Sequence, residues 1–281
     1  MADAATLQRF ATLYGDGFLP SVGSWVQVAP AQGLTTILNA FNTLGNQQVE
    51  LFLFDVGGTT VYNGTYDIQT NHTLRLDLED VVPSDALPFE GSLWMWAKGD
   101  TNEGALGLQA IDLDFVDRDM PAGHVMGSVH LIFDFINTLS IPPYMDLVTP
   151  RILVGETPEG SPTHQNFLGL AHAIVSLGDA TGCELEITVS NEAGDTLAAN
   201  QTIVLPALGS WFGDLHVLFP TLPEFLMRPG EKRGYGVVNV REKNSKRAGL
   251  AGMVKVVDVV SGSMLVGHLN DRHFARPAMK D

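Results

Sequence analysis

The chain has a single cysteine, Cys183, among 281 residues, and only 17% of its residues are charged. One cysteine excludes an intrachain disulfide and any cage of several thiolates around a metal. Charge this sparse, beside 29 glycines and 15 prolines, suits short strands joined by tight turns better than amphipathic helices. No run of about 18 apolar residues occurs, which excludes a membrane-spanning helix. The G-x-S-x-G elbow, H-E-x-x-H, the P-loop and a dinucleotide fingerprint after a strand are all missing, so no catalytic signature is present. The opening MADAATLQRFATLY has no basic stretch leading into an apolar core and does not read as a signal peptide. A cytoplasmic protein is expected on that ground, with an extracellular one left open if a leader has been removed.

What is there begins with acidity. Basic residues number 16 against 32 acids, a formal net charge of −16. Such a chain is repelled by phosphate backbones and anionic lipid, which argues against nucleic-acid or membrane-surface partners. The apolar fraction of 45% is that of a folded protein, and the length suffices for two domains with a core each.

The strongest signal is an internal repeat. VELFLFDVGGTTV (Val49 to Val61) and CELEITVSNEAGDTL (Cys183 to Leu197) each read as strand, glycine turn and strand. TLRLDLEDVVP and FGDLHVLFP are read as alternating strands ending at Pro83 and Pro220. FEGSLWMWAK answers RGYGVVNVR, ALGLQAIDLDFV answers LAGMVKVVDVV, and the pair Gly123-His124 answers Gly267-His268. The offset grows from 136 residues at Gly58 and Gly194 to 144 at the Gly-His pairs, as loop insertions in a duplicated domain would produce. Within each copy the period is two: Leu74, Leu76 and Leu78, or Leu185, Ile187 and Val189, alternate with polar residues. That pattern predicts antiparallel sheets wet on one face and stacked on the other. The expected fold class is all-β: two tandem immunoglobulin-like or jelly-roll sandwiches, residues 1–140 with a short helix over 5–14, and residues 141–281. Asn137 to Pro150, with its paired prolines, is read as the linker.

ILNAFNTLGNQQVELFLFD, YDIQTNHTLRLDLEDVVP and FEGSLWMWAKGD together resemble the layout of the sensory rhodopsin transducer family, over residues 37–100. The resemblance implies a small β-sandwich protein that forms oligomers and binds partners rather than catalysing. It assigns no site residue.

Several residues carry possible chemistry. His124 and His130 (GHVMGSVH) with His268 and His273 (GHLNDRH) offer zinc or copper ligands, or are structural histidines preserved by duplication. Asp112 and Asp114 in IDLDFVDRD present carboxylates on one strand face, as a calcium site needs, or form a solvated face opposite Ile111, Leu113 and Phe115. Trp94 and Trp96 share a side of a strand whose other side is also apolar, so they are core or a sugar platform. Sequons occur at Asn63, Asn71 and Asn200.

Charge is also unevenly placed. Eleven of the sixteen Lys and Arg lie from Arg228 onward against five acids, a net of +6, while residues 1–227 net −22. The basic loop of Lys243, Lys246 and Arg247 is therefore expected to meet an acidic surface on a second copy, near Asp77, Glu79 and Asp80 or near Asp112 and Asp114. These observations point to a non-enzymatic binding or assembly protein with no required cofactor. It would associate with itself, as a homo-oligomer or filament, or with another protein. A metal-dependent, carbohydrate-binding or carbohydrate-active protein is the alternative, resting on the histidines and acids.

Overall fold

The computed structural model describes residues 22–42, 45–99, 108–119, 124–132, 146–173, 181–243, 249–268 and 270–271. The predicted helix over 5–14 lies outside them. The structure is mostly β, in four antiparallel sheets. The first sheet runs β1 (Val22–Val28), β6 (Phe89–Gly99), β3 (Gln47–Asp55), β4 (Thr60–Ile68). The second runs β5 (Thr73–Asp77), β2 (Leu34–Asn42), β7 (Leu108–Asp117), β8 (His124–Ile132).

In the other half of the chain a third sheet places β9 (Asp146–Gly155) beside β15 (Arg233–Glu242) and then β11 (Cys183–Asn191). The short strands β12 (Thr196–Ala198) and β13 (Ile203–Leu205) both pair with β11, and β18 (Asn270–Asp271) pairs with β9. The fourth runs β14 (Ser210–Asp214), β10 (His164–Ala173), β16 (Gly249–Asp258), β17 (Met264–His268). Strand for strand, the order β1-β6-β3-β4 recurs as β9-β15-β11-β12, and β5-β2-β7-β8 recurs as β14-β10-β16-β17.

Local chemistry recurs with the order. Asp55 and Asn191 each end a strand and accept, through Oδ1, the amides two and four residues on. Each turn then passes through a glycine in the left-handed region, Gly58 (φ 83°) or Gly194 (φ 87°), which a side chain would strain. Asp77 and Asp214 likewise end β5 and β14, and each caps a four-residue helix, Leu78–Val81 or Leu215–Leu218, by accepting the amide two residues on. The alternation of LDLED and FGDLHVLF therefore stops at the aspartate. The segments read as continuous strands bend into helix there, because Asx capping competes with the ladder.

Of the expected linker, residues 137–145 lie outside the described residues and residues 146–150 belong to a strand. Pro150 lies inside β9, where the register against β15 shifts between Val237 and Asn239. A proline has no N–H to give the ladder, and a bulge is a place that needs none.

Each half has its own apolar core. Leu38, Leu51, Leu53, Leu93, Met95 and Leu113 belong to one, and Leu168, Leu185, Ile187, Val189, Val238 and Val254 to the other. Met253, Val266 and Phe212 of the second half join the first core. The fourth sheet is thus covered on both faces, which reads in β16 as near-continuous burial from Leu250 to Val256.

Candidate functional site

The register defines which residues of the two halves correspond. Ile37 stands between Asp77 and Asp114, and Phe167 stands between Asp214 and Lys255. Since Asp77 and Asp214 are the equivalent caps, Lys255 occupies the place of Asp114. One row along, Arg75, Asn39 and Asp112 correspond to Phe212, Gly169 and Met253.

In the first half this face is polar and hydrogen-bonded. Asn39 Nδ2 donates to Asp114 Oδ2 at 2.9 Å, and Arg75 Nη1 donates to Asn39 Oδ1 at 3.3 Å. Thr35 Oγ1 donates to Asp77 Oδ1 at 2.8 Å, while Arg118 pairs with Asp77 and, at 3.0 Å, with Glu79. The same face of the second half carries Phe167, Phe212, Gly169 and Met253 beside Lys255 and meets the first half. Phe167, Phe212 and Trp25 form a stacked row, with Phe212 4.2 Å from Trp25. Gly169 leaves the space that Trp25 fills, since a Cβ there would lie 3.0 Å from the indole stem.

Lys255 closes this junction. It is 6% exposed, and its ammonium nitrogen sits 4.4 Å from the ring centres of both Trp25 and Phe115 and 5.5 Å from that of Phe212. Burial pushes its pKa down to about 7, opposed by the negative charge of Glu90. Burial pushes Glu90 up in turn, against the Trp25 indole N–H and the Lys255 charge. The rings favour the ammonium through their quadrupoles, and loss of water favours the amine. With burial the larger effect, the group changes charge near neutrality. It does so inside a joint between the two halves.

A second feature is the free edge of the first sheet. Among the described residues β4 forms a strand ladder with β3 alone, and at its end the Ile68 carbonyl accepts from Asn42 Nδ2 at 2.8 Å. It is nine residues long, contains neither proline nor a basic residue, and carries one charge, Asp67, which accepts from Gln48 Nε2 at 3.1 Å. Tyr62 and Tyr66 are half-buried against the core and share a hydroxyl hydrogen bond of 2.6 Å. Tyr62 lies over Gly64, where a Cβ would meet its hydroxyl at 2.3 Å. The corresponding edge of the second half is split into β12 and β13, three residues each.

The sequence-derived candidates fall as follows. Trp94 is fully buried, and Trp96's side chain lies outside the described residues. Asp112 and Asp114 are half-buried on β7. His130 stands across from Asp112 and His268 across from Met253, so these two correspond. His124 stands across from Asp117 at the other end of its strand. The expected match of His124 with His268 is therefore corrected: the Gly-His pairs are at opposite strand ends. The side chains of His124, His130 and His268, and all of His273, Lys246 and Arg247, lie outside the described residues. Among the described residues no three of His, Cys, Asp and Glu gather as a metal would need. Asp77 and Glu79 are engaged by Arg118, Asp80 is exposed, and exposed Lys243 donates to Thr202 Oγ1 at 3.1 Å.

Lys255 had no part in the sequence-based candidates, and His172, a histidine that could join a ligand set only through folding, is buried. His172 Nδ1 accepts from the Leu208 amide at 3.4 Å, and burial pushes its pKa down to about 4. A signal for Lys255 was present in the repeat itself, where Arg75, Asn39 and Asp112 become Phe212, Gly169 and Met253: three polar residues lost from one face mark that face as covered.

No family model and no curated protein matches the chain. Among solved structures, an anti-sigma factor domain-containing protein is similar at 8% identity over 85% of this chain and 79% of that one, with a TM-score of 0.21. A glycosyl hydrolase family 2 member from Bacteroides cellulosilyticus (10% identity, 88% of this chain, TM-score 0.16) is also similar. So is a family 2 beta-glucuronidase (9%, 88%, TM-score 0.17). This chain spans 27% and 23% of the two glycosidases. Superpositions this poor bear on neither fold nor function. No described helix is long and apolar enough to cross a membrane.

Proposed function

We propose that this chain is a non-enzymatic assembly module, two duplicated β-sandwich units joined into one body, which associates with further copies through a sheet surface. The shared strand order and the paired Asx caps support the duplication. The observation that carries the assembly reading is the β4 edge: among the described residues, positions 61–67 lie in a ladder with β3 alone, without the lysine or proline that ordinarily blunts an edge. The face that each half would otherwise leave open is used differently, as an internal joint in the second half and as a bonded polar surface in the first. Sedimentation equilibrium over a wide range of protein concentration tests the reading. A mass rising above 30.3 kDa with concentration is expected; a monomer at every concentration would overturn it.

A further inference from the structure

The β4 edge carries more than an invitation to pair, because two tyrosines stand symmetrically about its central glycine. Around Gly64 it reads Tyr62-Asn63-Gly64-Thr65-Tyr66, with Val61 and Asp67 flanking. We propose that the partner is a second copy of this chain, its β4 running antiparallel to the first across a two-fold axis at Gly64. The two four-stranded sheets would then become one of eight strands. This rests on the assembly reading and names the surface, the register and the occupant.

Three features favour a second copy over an unrelated strand. In this register each Tyr62 stands across from the other copy's Tyr66, so the one tyrosine pair bonded within each chain meets its counterpart in a cluster of four. Opposed residues in an antiparallel pair hold their Cβ atoms about 4.5–5.5 Å apart, close enough for the rings to pack. The one charge of the strand, Asp67, falls opposite Val61, so no like charges face each other. Gly64, already crossed by its own Tyr62, puts no side chain at the axis. The isologous geometry closes at a dimer, whereas the split edge at β12 and β13 offers no equivalent strand.

Charge also separates this contact from the one between the basic loop and the acidic surface. Two bodies of formal net charge −16 repel at long range, so pairing at an edge with one charge should strengthen as salt screens them. A contact between Lys243, Lys246 and Arg247 and an acidic patch should weaken.

The register has a direct test. Residue 63 faces residue 65 of the other copy, whereas 63 faces 63 only diagonally, at about 7–8 Å. Full-length chain carrying Asn63→Cys is mixed with chain carrying Thr65→Cys under mild oxidation, and each is also oxidised alone. The mixture should form the crosslinked dimer faster than either alone by about tenfold, since only opposed positions meet disulfide geometry. Both sites are exposed, so both variants should fold. Equal rates in all three samples, or none, would overturn the proposal. If the wild-type chain associates in sedimentation while the mixture does not crosslink, the assembly reading stands and the β4 register fails. If association falls with salt, the basic loop is the joint. A monomer throughout removes both.

Discussion

At the scale of single residues, Lys255 is the position with the sharpest consequence. In the unfolded chain its amine titrates at the ordinary lysine value of 10.5, and in the fold at about 7. Between these values the unfolded chain holds a proton that the folded chain lacks. Stability therefore rises as pH goes from about 7 toward 10.5, and below about 7 the full penalty of a buried charge applies. Lys255→Met keeps the length of the side chain and removes the charge. It is expected to raise stability at pH 7 by roughly 2–3 kcal/mol, because apolar replacement of a buried charge is often stabilising. The gain should shrink toward pH 10; a Lys255→Met protein no more stable than wild type in denaturant titrations at pH 7 would refute the buried-charge account. His172 acts in a separate window. Its pKa falls from 6.5 to about 4 on folding, so the unfolded chain takes up a proton first and stability declines as pH drops from 6.5 toward 4. Replacing His172 with Gln should flatten that part of the pH–stability curve.

At the scale of elements, the repeated turns give a paired comparison. Gly58 and Gly194 have the same backbone conformation, so alanine at either is strained by about 1 kcal/mol. They differ in surroundings: a Cβ on Gly58 would lie 2.0 Å from the Ala207 carbonyl oxygen, while nothing lies within 4 Å of one on Gly194. Gly58→Ala should therefore be clearly more destabilising in thermal melts than Gly194→Ala, and equal effects would contradict the contact between the halves at that loop. The β character and many strands and turns were legible in the residues, because period-two alternation and glycine turns are local signals. The short helices after Asp77 and Asp214 were not. Leu78 and Leu215 continue the alternation, and only the capping bond reveals the change. Lys255 was misleading in a similar way, since a lysine between Val254 and Val256 reads as the wet side of a strand. What buries it is an aromatic row from Trp25, Phe115 and Phe212, residues far apart along the chain, and alternation carries no information about such contacts.

At the scale of the whole molecule, the two halves are tied by more than proximity. Ser92 Oγ donates to the Leu208 carbonyl at 2.9 Å, the Ser210 amide donates to the Val56 carbonyl at 3.2 Å, and Trp25 fills the space above Gly169. A joint that buries a tryptophan, a lysine and two phenylalanines should make unfolding a single cooperative transition, and Gly169→Val should weaken both halves together. β4 is one of the edge strands of the four sheets, and assembly through that strand is the central claim. Amide hydrogen exchange measured at low and high protein concentration tests it most directly. Every second amide of β4 points away from β3, and in a lone molecule those amides should exchange as freely as a loop. With assembly, the outward amides between Val61 and Asp67 should become protected as concentration rises, while the split edge at β12 and β13 stays unchanged. Exchange along β4 that is indifferent to concentration, in a sample that sediments as an oligomer, would contradict the account.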